Sequence, residues 1–160
     1  MILISFGTRP EFIKIKPLIE AFKDKIPFKL LFTGQHVDLL SSVEGDIHKL
    51  TIEDGANRLD SIVSSVMNNN SIFEDVSAVL VQGDTTSVFA VALAAFHRNI
   101  KIIHLEAGLR TYNKNHPYPE EFNRRAVSVM ADIHLSPTEL CTDNLLKEKV
   151  DGKIFTVGNT

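Results

Sequence analysis

The chain has 160 residues, 44% of them hydrophobic and 23% charged, enough for one domain with a full-sized core. Its net charge of −3, with Lys and Arg spread rather than blocked, gives no electrostatic case for a nucleic-acid partner. No apolar run approaches the roughly 20 residues of a membrane helix, no basic leader precedes Ile2, and Cys141 has no second cysteine to pair with, so a soluble protein of a reducing cytoplasm is expected.

Along the chain, strand-like runs alternate with helix-like runs. Ile2–Phe6 reads as a strand, followed by a helix over Pro10–Lys23 whose Ile13, Pro17, Leu18, Ala21 and Phe22 fall mostly on one stripe. Lys29–Thr33 is the second strand, and Ile47–Ile52 is a weaker strand signal. Asn57–Asn68 is an amphipathic helix and Asn68-Asn69-Asn70-Ser71 a polar turn. The strand Ala78–Gln82 leads into Ser87–Arg98, apolar almost all round and so a buried helix. Lys101–Leu105, a helix over Glu120–Met130, the strand Asp132–Leu135, a helix over Pro137–Lys149 and the strand Ile154–Val157 complete the set. Ser136-Pro137 reads as the cap and first residue of the last helix. Continuous apolar strands fit burial on both faces, and the alternation predicts an α/β fold with a doubly wound, Rossmann-like parallel sheet. In that order the first strand lies beside the Ala78 strand, at the topological switch point.

Three polar clusters follow three of these strands. They are Gly7-Thr8-Arg9-Pro10-Glu11, Gly83-Asp84-Thr85-Thr86 and Glu106-Ala107-Gly108-Leu109-Arg110-Thr111. Segments after parallel strands share one sheet edge, where ligands bind. Arg9, Asp84, Glu106 and Arg110 are thus expected to converge, cations beside carboxylates, as an anionic ligand and proton transfer require. Gly7 suits a tight bend. Pro10 suits the first helical position, and Arg9 at the positive helix end suits phosphate. Lys14 lies further along that helix. The pattern is neither a dinucleotide fingerprint nor a P-loop. Asp84 is either an acid–base group or the cap of the buried helix, a task Thr85 or Thr86 can also perform. Glu106 sits where burial tunes a carboxylate, with Arg110 within reach of it or of a ligand phosphate. Glu120 and Glu121 open a helix after two prolines, where acidic residues also favour the helix start; Asn123, Arg124 and Arg125 follow. Gln35 and His36, after the second strand, are weaker site candidates. The six histidines show no metal-ligand spacing.

Together the segments Phe6–Glu11, Thr33–His36, Gln82–Thr86, Glu106–Thr111, Pro119–Glu121 with Asn123-Arg124, Leu135–Thr138, Asn144–Leu146 and Val157–Thr160 resemble the non-hydrolysing UDP-N-acetylglucosamine 2-epimerases, in that family's order. The resemblance implies the N-terminal half of a glycosyltransferase-B arrangement of two Rossmann-like domains, with residues 1–160 as the first. The second would supply most uridine and diphosphate contacts and a catalytic histidine, so the isolated chain is expected to be inactive. The implied reaction interconverts UDP-GlcNAc and UDP-ManNAc by UDP elimination to 2-acetamidoglucal and re-addition. It serves cell-surface polysaccharide precursors, without metal or redox cofactor, in a cytoplasmic homodimer.

By motif position Asp84, Glu106 and Glu120 are the catalytic candidates. Arg9, Lys14, Gly7, Thr85, Arg110, Gln35 and His36 are candidates for binding the UDP-sugar. Val37-Asp38 replaces the Arg and second Gln of relatives regulated by a second substrate molecule, which argues against allosteric activation. Tyr112 and Asn115–Tyr118 depart from the family's usual neighbours and admit a related UDP-diacetamido uronate as substrate. The hydrolysing branch has Asp-Arg and His-Gly-Gly where this chain has Asp-Thr-Thr and Glu-Ala-Gly. A non-catalytic nucleotide-sugar-binding domain and a glycosyltransferase acceptor domain are the remaining alternatives.

Overall fold

The computed structural model describes residues 1–34, 47–52, 55 and 57–160. Seven strands form one parallel sheet in the order β3-β2-β1-β4-β5-β6-β7: β1 (Ile2–Phe6), β2 (Phe28–Phe32), β3 (Ile47–Lys49), β4 (Ala78–Gln82), β5 (Lys101–Leu105), β6 (Ile133–Ser136) and β7 (Lys153–Thr156). Among the described residues five helices connect them: α1 (Arg9–Phe22), α2 (Arg58–Asn68), α3 (Thr86–His97), α4 (Glu120–Met130) and α5 (Glu139–Glu148), with a 3₁₀ turn at Ser71–Phe73. Each expected strand forms, the weak Ile47 signal included.

Successive strand residues point to opposite faces, and both faces are covered. Leu3, Leu31, Val79, Val81 and Ile102 pack with residues of α2, α3 and α4. Ile4, Phe6, Leu30, Phe32, Leu80 and Leu105 pack with Ile15 of α1. This double burial explains why the strands read as continuous apolar runs. Helix α3, as its composition predicts, buries Ala90, Val91, Ala92, Ala94 and Ala95.

The order in which strands are added reverses between β1 and β4, which are parallel, hydrogen-bonded neighbours. The turns at Gly7 and Gly83 therefore flank the switch-point crevice, and the Glu106 turn follows on the next strand. The cap of α5 differs from expectation. Thr138, not Ser136, accepts from Cys141 N. Ser136 is the buried last residue of β6, and its hydroxyl donates to Phe155 O at 3.2 Å. A side chain tied into the sheet has no freedom to fold back over a helix start.

Candidate active site

The first turn is closed on itself. Thr8 caps α1 and Glu11 completes a capping box. The buried Glu11 carboxylate accepts from Gly7 N at 2.6 Å and Thr8 N at 2.8 Å through Oε2. Its Oε1 accepts from the Thr85 hydroxyl at 2.5 Å, 74 residues away in sequence. Burial pushes the Glu11 carboxyl above its ordinary value, against donors that favour the ionised form. One carboxylate thus joins the β1–α1 turn to the β4–α3 turn.

The contacts of three groups in these turns are now visible. Gly7 contributes an N–H to Glu11, while Gly34, Gly83, Gly108 and Gly158, which follow β2, β4, β5 and β7, are glycines with positive φ. Thr85, one of the two residues expected to cap α3, does so by accepting from Val88 N while its O–H goes to Glu11. The helix N-terminus expected to receive phosphate already holds an internal anion, leaving Arg9 exposed at its first residue. The T-x-x-E spacing of Thr8 and Glu11 was the sequence signal for this arrangement.

Because Thr85 is the cap, Asp84 is not. Its side chain pairs with Arg124 of α4 at 2.7 Å, and its backbone carbonyl accepts from Asn123 Nδ2 at 2.8 Å. Glu106 follows β5 with φ of 65°, a left-handed backbone rare for a side chain of this kind. It accepts a hydrogen bond from Gln82 Nε2, and its Oε1 lies 3.7 Å from Lys14 Nζ. Lys14 also donates to Asn159 Oδ1, near the chain's last residue. The structure thus brings Lys14, Gln82 and Glu106 together, and places Asp84 after the neighbouring strand.

Arg110 does not join them. Its side chain is fully buried and pairs with Glu148 at 2.8 Å, and it also donates to Ser128 Oγ. It pins the loop after Glu106 to α4 and α5, and no proximity in sequence reveals a partner 38 residues away. Glu120 is half-buried at the first residue of α4. Its neighbour Glu121 is fully buried and accepts from Thr111 N at 3.0 Å, Tyr112 N at 2.9 Å and Arg124 at 3.3 Å. Burial raises the Glu121 carboxyl, but these donors outweigh it, and the group sits below its ordinary value. Gln35, His36, Val37 and Asp38 lie outside the described residues. Among the described residues no cluster of His, Cys, Asp and Glu is arranged to hold a metal, and no helix is long and apolar enough to cross a membrane.

Comparison with known proteins gives a consistent result. The family model described as UDP-N-acetylglucosamine 2-epimerase matches residues 20–160. The UDP-N-acetylglucosamine 2-epimerase of Salmonella borreze is 43% identical over 99% of this chain and 45% of its own length; that of Bacillus subtilis is 42% identical over 99% and 45%. The crystal structure of the Neisseria meningitidis UDP-GlcNAc 2-epimerase bound to UDP-GlcNAc superimposes with a TM-score of 0.91 at 40% identity, covering 99% of this chain and 46% of that one. The chain therefore spans a little under half the length of these relatives. A match of this extent, on a sheet edge carrying these carboxylates, places the chain in the UDP-N-acetylglucosamine 2-epimerase family.

Proposed function

We propose that the full-length protein carrying this chain interconverts UDP-GlcNAc and UDP-ManNAc without hydrolysis, and that these residues form its proton-transfer edge. The observation that carries the reading is the placement of Asp84 and Glu106 after adjacent parallel strands, each with a cation beside it. Inversion at C2 needs a base on one face of the sugar and an acid on the other. One carboxylate takes the C2 proton as the C1–O bond to UDP breaks, leaving a C1=C2 double bond in 2-acetamidoglucal. Re-addition of UDP to C1 with protonation from the opposite face of C2 gives the epimer. Glu120 would stabilise positive charge developing at C1. Lys14 and the exposed Arg9 would orient the substrate's anionic end.

The α1 N-terminus is filled by Glu11. Diphosphate binding therefore falls mainly to a second domain, and the 160 residues alone should not turn over. The rest of the reading is a cytoplasmic homodimer that supplies surface-polysaccharide precursors. The Neisseria structure's bound UDP-GlcNAc supports a UDP-sugar ligand.

The test is incubation of the full-length protein with UDP-GlcNAc in deuterated water. Deuterium at C2 with UDP-ManNAc appearing is the expected result. Asp84→Asn and Glu106→Gln should each lower kcat by about 10²- to 10⁴-fold, the usual worth of a positioned acid or base. Free ManNAc with UDP would mean the hydrolysing reaction instead. No exchange with UDP-GlcNAc but exchange with a UDP-diacetamido uronate would move the substrate.

A further inference from the structure

Asp84 is gripped from outside its own turn. Nε and Nη2 of Arg124 each lie 2.7 Å from one oxygen, Oδ2, so Oδ1 takes neither bond. Asn123 Nδ2 holds the Asp84 carbonyl and His104 Nε2 holds the Gly83 carbonyl, both at 2.8 Å. The remaining guanidinium nitrogen, Nη1, lies 3.3 Å from Glu121 Oε2. Glu121 is in turn fixed by the backbone N–H groups of Thr111 and Tyr112. Arg124 is thus stretched between the turn after β4 and the loop that follows Glu106.

These contacts separate two roles for a cation at such an edge. A residue that clamps a ligand phosphate needs open donors. All three nitrogens of Arg124 already face carboxylate oxygens of this chain, and its side chain is 11% exposed. A planar fork with fixed donor directions orients whatever it binds, whereas lysine offers charge on a flexible stem. Proton transfer to carbon tolerates little misplacement of the carboxylate, and a shift of about 1 Å costs up to about 10²-fold in rate.

We propose that Arg124, anchored by Glu121, is a positioning residue for Asp84: it fixes the carboxylate through Oδ2 and reserves Oδ1 for the substrate proton. The inference rests on the epimerase reading above and deepens it. It makes the loop after Glu106 and the turn carrying Asp84 one mechanical unit.

The test uses the full-length protein with Arg124→Lys, Glu121→Gln, Asp84→Asn and the double variant Asp84→Asn/Arg124→Lys, followed by C2 deuterium exchange. Arg124→Lys should lower kcat about 10- to 100-fold with KM nearly unchanged, as misplacement of the reacting group predicts. Glu121→Gln should act in the same direction and more mildly. The double variant should be no slower than Asp84→Asn alone, because Arg124 acts through Asp84. Multiplying effects, or a raised KM with kcat intact, would overturn the proposal and make Arg124 a ligand contact. A crystal structure of Arg124→Lys decides independently of turnover: a reoriented Asp84 carboxylate supports the proposal, and one that superimposes on the parent refutes it. An unsubstituted protein that exchanges no deuterium would count against the epimerase reading, while that crystal structure would still decide the role of Arg124.

Discussion

Gly108→Ala should destabilise the chain by about 3 kcal/mol or more, because two separate penalties coincide. Gly108 has φ of 91°, which residues with a Cβ avoid. A Cβ there would also lie 2.2 Å from Cys141 O and 2.8 Å from Cys141 C, backbone atoms of α5 that cannot swing aside. The start of α5 packs directly on this peptide, and Asn144 Nδ2 bonds the Gly108 carbonyl at 3.0 Å. Relief requires moving either α5 or the turn that carries Glu106. Urea unfolding of this chain and of the variant measures the first effect. In the full-length protein the same substitution should slow C2 exchange even where the fold survives. A variant with unchanged midpoint and unchanged exchange would contradict the contact geometry.

Acid should weaken the fold well above the range in which surface carboxylates titrate. Burial pushes His104 from its ordinary 6.5 down to about 4, with the Gly83 carbonyl opposing and His134 and Arg110 reinforcing the shift. The geometry supplies the reason. Nε2 faces the Gly83 carbonyl, while Nδ1 is buried without a partner, so protonation would create an orphan N–H beside Arg110. His134, its cross-strand neighbour, has the same unpartnered Nδ1, and burial lowers it too.

The sign follows from where protons bind first. Below about pH 6.5 the unfolded chain takes up a proton that folded His104 refuses, so stability falls as pH drops. At 1.36 kcal/mol per unit the loss from His104 approaches ~3 kcal/mol at pH 4. Glu121 and Asp132, both held below their ordinary values, add further loss as pH falls through their own folded values. Glu11 works the other way. Its raised value contributes stability on the acid side that is lost as pH rises through it. Urea midpoints at pH 7 and pH 4.5 should therefore differ, and His104→Gln, which retains a donor for the Gly83 carbonyl, should remove most of the difference. An equal difference in that variant would move the effect to His134 and the carboxylates.

The parts of this molecule that were legible in its sequence depend on nearby residues. Strands β1, β4 and β5 fall on their expected bounds because buried parallel strands leave unbroken apolar runs. The placement of Asp84 and Glu106 after adjacent strands followed from strand order alone. The unread parts depend on partners far along the chain. Arg110 turns to Glu148, Glu11 reaches Thr85, and Arg124 joins Asp84 to Glu121. Local spacing shows that these groups are charged but not which of several opposite charges the fold delivers. Glu120 and Glu121 show the limit most clearly. Both read as helix-start acids, yet one is half-exposed at the edge and the other is enclosed.

In the proposed reaction, the left-handed backbone of Glu106 sets stability against chemistry at a single residue. Glycine or asparagine adopts that conformation at less cost. A library of this protein selected only for survival at high temperature should therefore enrich Glu106→Gly or Glu106→Asn, and the enriched clones should have lost C2 exchange. A lineage freed from making its product would drift the same way. A glycine at this position in a homologous gene would then mark a protein that keeps the fold after the proposed catalytic role has lapsed.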